Sequence, residues 1–555
     1  MDMNEVLAFF MNVDDHPFSF NKPVQWTVSL SKEEDNLSLR GLMDLQGVAL
    51  ETEDIIINPP GDTKHISFEL GLGPDREVDL KRLTMELEGS SLEVTGSYNI
   101  RGRDVVALSL SIPSLSMNDL GVRFKKRMRR LKGVLEGSVE IRTSLKEHAE
   151  RTIDGRMKGK DFFLVWPRIS SPVEECDFTL DFSGKNLHII SSSMKIGKTP
   201  MQITGDLDIN DGLRGEITLE SDFLNVDDLW PRSETSLPGV KTQGASAGKT
   251  KPMELSVHLK ALQGQWRRLT LGPSQMDLII TNREIHVRDS KILLEHGLLR
   301  LKGHLKRGDD PGFRMSSHVQ FNEQPVEELL ESVGIGNGPL TGSLTMEAYL
   351  FSEGDRREDL FPHLNGTFNV LIKKGVLRSP NVLVKVFDFL SYEKIFVKRP
   401  PDISKEGFYF ESMGGHAVIH DGLIETDNLI MKSPSLNAVA SGEVNMAENT
   451  IDIHLGTQPL ETVDVVVSKI PILGYILTGE DQALLTYYFT VKGPLGDAEV
   501  KHVPFRTLGG GLAGLFKRLF LTPVKIFKDI SGAAKRLPEP MTPLTEETTI
   551  RDTDA

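Results

Sequence analysis

Apolar and polar residues alternate along most of the chain, and a recurring phrase punctuates the alternation: two apolar positions one residue apart, then a glycine. It reads Leu37-Ser-Leu39-Arg-Gly41, Leu92-Glu-Val94-Thr-Gly96, Met201-Gln-Ile203-Thr-Gly205, Leu299-Arg-Leu301-Lys-Gly303, Ala438-Val-Ala440-Ser-Gly442 and Phe489-Thr-Val491-Lys-Gly493. A period of two puts successive side chains on opposite sides of an extended backbone, so each phrase predicts a strand with one apolar and one wet face. The glycine permits a bulge or the close approach of a neighbouring backbone, so a long sheet can bend there without losing its pairing.

Several phrases sit in a longer frame, with one alternating run before them and another after. Leu187-His-Ile189 and Met194-Lys-Ile196 lead to Gly205 and Asp206-Leu-Asp-Ile209; Ile285-His-Val287 and Ile292-Leu-Leu294 lead to Gly303; Gly422-Leu-Ile424 and Leu429-Ile-Met431 lead to Gly442 and Ile451-Asp-Ile453. Neighbouring phrase glycines stand roughly 50 residues apart at two places and about two to three times that at the others, which describes a loose repeat with loop insertions rather than a strict solenoid. The fold class is mainly β, with Ile196, Ile203, Leu299 and Leu301 expected on one common apolar face.

Helical spacing is confined to a few places. Short helices are predicted over Asn118–Leu131, Pro325–Val333 and Asn381–Tyr392, where Val382, Leu383, Val386, Phe387 and Leu390 fall on one side. From Pro231 to Pro252 Ser, Gly, Thr and Lys replace the apolar pattern, which predicts a linker. The organisation read this way is a β-repeat region over 1–230, a linker over 231–252, a second β-repeat region over 253–362, a β domain over 363–505, an amphipathic helix over 506–537 and a disordered tail over 538–555 rich in Thr, Pro and acid. Alternation begins almost at once, at Gln25-Trp26-Thr-Val28, so a preceding segment is expected. Met1–Phe10 shows neither a basic start nor an apolar stretch of secretory type, and no run approaches the roughly 20 apolar residues that span a bilayer.

Charge narrows the partners. With 64 Lys and Arg against 79 Asp and Glu the net charge is −15, which disfavours a nucleic-acid surface. Cys176 is the lone cysteine, so neither an intrachain disulfide nor a thiolate metal cluster can form. The fourteen histidines lie scattered on alternating strands, as His258, His286 and His318 do, without metal-ligand spacing. Gly334-Ile-Gly336-Asn-Gly338 follows a helical pattern rather than a strand and reads as a turn. Asp206 and Asp208 read as solvated strand acids, with no second pair to complete a hydrolytic site. No cofactor, metal or catalytic residue is expected, and an enzyme is disfavoured.

The segment Leu508–Arg536 breaks both patterns. Leu512, Leu515, Phe516, Leu519, Phe520, Ile526, Phe527 and Ile530 recur at helical spacing, with Lys517, Arg518, Lys525 and Lys528 between them. A cationic amphipathic helix in an acidic chain suits the surface of an anionic membrane or a membrane-embedded partner. A helix docking its stripe on the protein's own sheet fits the same spacing, and only the local charge reversal favours the first reading.

Residues 363–505 resemble the C-terminal domain of the AsmA-like proteins of Gram-negative envelopes, the group that includes YhdP and TamB. The resemblance rests on Asn365-Gly-Thr-Phe-Asn-Val-Leu-Ile-Lys-Lys-Gly375, Lys405-Glu-Gly407-Phe-Tyr-Phe, Gly415-His-Ala-Val-Ile-His-Asp-Gly422, Ile470-Pro-Ile-Leu-Gly474-Tyr-Ile-Leu-Thr-Gly479 and Tyr488-Phe-Thr-Val-Lys-Gly493-Pro-Leu-Gly, in that order. It implies a long curled β-sheet, open along one side, whose apolar face is a groove for phospholipid acyl chains. It also implies a periplasmic, inner-membrane-associated protein that bridges lipid across the envelope or assists outer-membrane assembly, although the inner-membrane helix usual in the group is missing from this chain. The residues alone leave a second possibility open, a closed β-sandwich module that binds protein partners. An apolar face left uncovered supports the first; a filled core supports the second.

Overall fold

The computed structural model describes residues 18–22, 24–33, 36–52, 55–58, 64–72, 77–87, 89–99, 105–124, 130–144, 152–165, 169–210, 212–229, 252–307, 312–332, 339–355, 357–360, 362–378, 381–392, 407–446, 448–460, 475–478, 483–495, 497–504, 507 and 510–521. Of these, 75% are in strands and 9% in helices. The chain divides into two compact units, residues 1–295 with 302–306, and residues 296–301 with 307–555. The strand Leu298–Arg307 is shared between them. The predicted linker and tail lie outside the described residues, apart from Pro252.

In the first unit, strands from Gln25–Glu33 to Glu284–Leu294 pair one after another, and the described pairs never join the two end strands. Neighbours are antiparallel, apart from Leu213–Asn225 and Met253–Trp266. These two flank the linker segment and run parallel with Ile217 opposite Val257. Parallel pairing requires the chain to travel back along the whole strand before it can re-enter the sheet. A separate four-stranded sheet of Phe18–Phe20, Leu50–Thr52, Ile55–Ile57 and Val122–Phe124 accompanies the first strands.

Every glycine phrase lies inside a strand. Three of the phrases are preceded by a bulge, which lies not in the phrase itself but in the strand before it. Leu80 pairs with Gly96 and Leu83 with Val94; Ile189 pairs with Gly205 and Ser192 with Ile203; Thr426 pairs with Gly442 and Leu429 with Ala440. In each case the preceding strand spends three residues where the phrase spends two. A bulge raises the local twist and bends the bulged strand, so the frame carries a bend at a fixed place beside its glycine.

The second unit's sheet runs from Phe313–Pro325 to Glu499–Val503. Helices are predicted correctly at Val326–Ser332 and Asn381–Tyr392. The helix expected over Asn118–Leu131 is not found among the described residues of that range. Residues 117–121 make a turn, Val122–Phe124 pairs with Ile55–Ile57, and Leu131 lies opposite Leu164 in the strand Arg130–Ser144. Strand partners distant in sequence outweigh a local apolar spacing that fits both periods.

Gly442 adopts φ +146°, and a Cβ there would collide with the carbonyl oxygen of Asp452 on the neighbouring strand. Gly442→Val should therefore cost about 3 kcal/mol or more, from backbone strain and the collision together. Gly272→Ala, where the nearest atom would stand at an ordinary 3.4 Å, should change stability by less than about 0.5 kcal/mol. Urea unfolding of the two variants checks the contrast, and equal midpoints would refute it.

Candidate functional site: an uncovered apolar face

Registered pairing turns the alternation of single strands into rows that cross the first unit. One row runs Val28–Gly41–Phe68–Leu83–Val94–Leu110–Val139–Gly155, each residue directly opposite the next on the adjacent strand. It continues Phe182–Leu187–Leu207–Gly215–Leu255–Ile280–Ile285. A parallel row runs Phe178–Ser192–Ile203–Leu219–Leu259–Met276. The first row carries only apolar side chains or glycine, and most of its members are half-buried rather than buried.

The other side of the same strands is charged. Arg156 reaches Asp181 at 3.0 Å, Lys160 reaches Glu136 at 3.2 Å, His258 bridges Glu216 at 3.1 Å and Asp277 at 2.7 Å, and Lys260 reaches Glu220 at 3.3 Å. Arg40 donates to Glu69 at 3.1 Å and holds that carboxyl below its ordinary range. Exposed pairs of this kind add little to stability. Their larger effect is on register, because a slip of one residue would turn charge into the apolar rows.

The two long edges of the apolar face differ. Along one, Leu269 is 1% and Ile196 6% exposed, and Leu229 of the four-residue helix Val226–Leu229 packs beside Val173, Cys176 and Ile196. At the start of the sheet Val24, Leu45 and Val48 close that same edge over Trp26, Met43 and Ile66. Along the other, Leu30 is 62% and Ile285 43% exposed. Among the described residues the first unit has no further helix to cover this face. It is an apolar trough, sealed on one side and open on the other.

The expected groove residues divide accordingly. Ile203 stands in the middle of a row, whereas Ile196 is structural, locked into the sealed edge. Lys302 lies 3.5 Å from Asp289 on the charged side, and alternation turns Leu299 and Leu301 to the other side of their strand. Asp206 is engaged by His188, and Asp208 accepts from the Asn210 N–H at 2.9 Å. His318 shares the buried Glu347 carboxylate with Gln320 and Tyr349 at 2.9, 2.8 and 3.2 Å. Burial, reinforced by Glu347, pushes the Tyr349 hydroxyl up to about 12. These polar side chains bind one another.

In the second unit both faces of the sheet are covered. On one, the helix Asn381–Tyr392 buries Leu383, Val386 and Leu390 among Leu344, Ile372, Phe410, Met431, Leu455 and Phe489. Ala438 and Ala440 stand where other phrases carry Leu, Ile, Met, Phe or Val, and they belong to the same buried cluster as the helix. That substitution was the signal in the sequence. On the opposite face lies the helix Gly510–Leu521, with Phe516 and Leu519 fully buried against Ile430, Val439 and Tyr488, and Leu515 and Phe520 packed beside them. Phe516 stacks on Tyr488 at 5.5 Å, and Gly456 lets Phe520 approach, since a Cβ there would stand only 3.3 Å from its ring.

The expected membrane contacts are therefore corrected in part. Leu515, Phe516, Leu519 and Phe520 serve internal docking, because the sheet offers them a matching apolar row. Leu512 is half-buried, and Lys517 and Arg518 face outward. Lys525, Ile526, Phe527 and Lys528 lie outside the described residues. No described helix is long and apolar enough to cross a membrane.

The sheet is built of one-sided strands, charged on one side and apolar on the other over fifteen consecutive strands, and comparison with family models puts the chain in the AsmA-like group of Gram-negative envelope proteins. Within that group the chain belongs to the YhdP family, whose model, described as YhdP protein, matches residues 11–500. No curated protein matches it.

If the C-terminal helix is held by its stripe, Phe516→Ala should destabilise the protein by about 3–5 kcal/mol, as large buried aromatics do. Lys517→Gln with Arg518→Gln should stay within about 0.5 kcal/mol of wild type. Thermal unfolding separates them, and a Phe516→Ala protein as stable as wild type would show that the helix is not docked in solution.

Proposed function

We propose that this protein is a non-enzymatic periplasmic component of the envelope that holds phospholipid acyl chains against the open apolar face of its first unit. In this role it conducts lipid as a bridge between membranes or supplies outer-membrane assembly. The observation that carries the reading is the apolar row crossing fifteen strands with no described helix over it. Water against such a face is costly, and covering a methylene recovers about 0.8 kcal/mol. Because the rows repeat at every strand, a tail meets similar contacts wherever it lies, so displacement along the trough is nearly level in free energy. The open edge lets a headgroup stay in water while its tail is covered. The closed-module reading is favoured for the second unit, whose core is filled by its own helix.

Native mass spectrometry after gentle extraction should find phospholipid bound to the intact chain. Ile203→Asp or Leu219→Asp should lower its occupancy about tenfold or more, since burying one uncompensated carboxylate costs well over the 1.4 kcal/mol that a factor of ten represents. Lipid-free wild type, or unaltered occupancy in folded variants, would sink the reading.

The contact with a membrane surface belongs, in this proposal, to the basic side of the C-terminal segment, with Lys517 and Arg518 continued in sequence by Lys525 and Lys528. Each contributes about 1 kcal/mol near anionic headgroups. Replacing the four by Gln should weaken binding to anionic liposomes in a salt-dependent way while leaving the melting temperature unchanged. Liposome sedimentation that does not respond to the replacement would return the whole segment to a purely internal role.

A further inference from the structure

The apolar face of the second unit is made as the first unit's is, from registered apolar partners such as Leu344–Ile372 and Met413–Met431, yet it is filled by the helix Asn381–Tyr392. We propose that this helix is a displaceable plug, and that the seat beneath it is a second acyl-chain site which a phospholipid tail enters by replacing the helix. The inference rests on the reading of the first unit's trough as an acyl-chain site.

Three observations support it. The helix meets its seat through Leu383, Val386 and Leu390, side chains with no polar atom, and a hydrocarbon tail makes the same non-directional contact. Among the described residues its polar anchor is Lys385, whose ammonium reaches Asp497 at 3.1 Å and the carbonyl of Ala498 at 2.8 Å. That pair is exposed, Lys385 by 41% and Asp497 by 89%, and such a pair holds weakly. The helix also has twelve residues, with no acid in its first turn and no base in its last. A helix so short, with its dipole uncompensated, depends on packing for its structure, so a displaced plug unfolds and its amides lose protection.

The test uses the full-length chain with vesicles of phosphatidylethanolamine and phosphatidylglycerol that carry a photoactivatable acyl chain. Labelled peptides are mapped, and hydrogen exchange is followed with and without vesicles. The expected result is label at the first unit's rows in every protein. At the second unit's seat label should be weaker in wild type and rise in Lys385→Ala by up to about fivefold, the factor one exposed ion pair supplies. Amides of residues 381–392 should exchange at least about tenfold faster when vesicles are present, because local opening sets their protection. Label in the first unit alone, with helix exchange indifferent to vesicles, overturns the plug and leaves the first site standing. Label in neither unit overturns the acyl-chain reading and the plug with it. If Lys385→Ala does not fold, vesicle-dependent exchange in wild type decides alone.

Discussion

A strand with a period of two is apolar on one side whatever it is paired with, and water will not tolerate that side bare. Everything else here follows from how the bare side is dealt with. Twenty or more such strands in one chain make the demand large. The second unit meets it from within, seating one helix on each face of its sheet. The first unit seals a single long edge with short elements and leaves the rest of its face half-covered. The charged side imposes the complementary restriction, since a register slip would carry carboxylates and lysines into the rows.

The phrase with Ala438 and Ala440 and the phrase with Phe489 and Val491 both lie in the core that the helix Asn381–Tyr392 fills. A helix about 10 Å across cannot approach a sheet studded with branched side chains as closely as one studded with methyl groups, so the small residues of one strand offset the bulk of another. Gly456 likewise lies under Phe520, where a Cβ would stand 3.3 Å from the ring and force it to give way.

Much of this architecture can be read from the chain before any coordinates. The six phrases are strands, Asn381–Tyr392 is a helix, and Ile203 sits in the apolar rows because alternation is a local property that each strand expresses for itself. What could not be read depends on partners far away in sequence. The apolar spacing of Asn118–Leu131 fits two periods, and the register with Ile55–Ile57 and Thr152–Val165 decides between them. The stripe of Leu515, Phe516, Leu519 and Phe520 specifies an apolar neighbour without saying whether it is lipid or protein, and Ile430, Val439 and Tyr488 answer from 27 or more positions upstream. Ile196 alternates like a groove residue, yet Leu229 and Val173 enclose it.

The bulge that precedes three of the glycine phrases has a further meaning. Because each frame inserts its extra residue in the strand before the phrase, the offset it introduces is contained within that frame and not passed on. A frame of this kind can be duplicated, lost or exchanged by recombination at its loops while the rows on either side keep their alignment. Selection can then set the number of strands, and so the reach of the sheet, independently of the residues that line it.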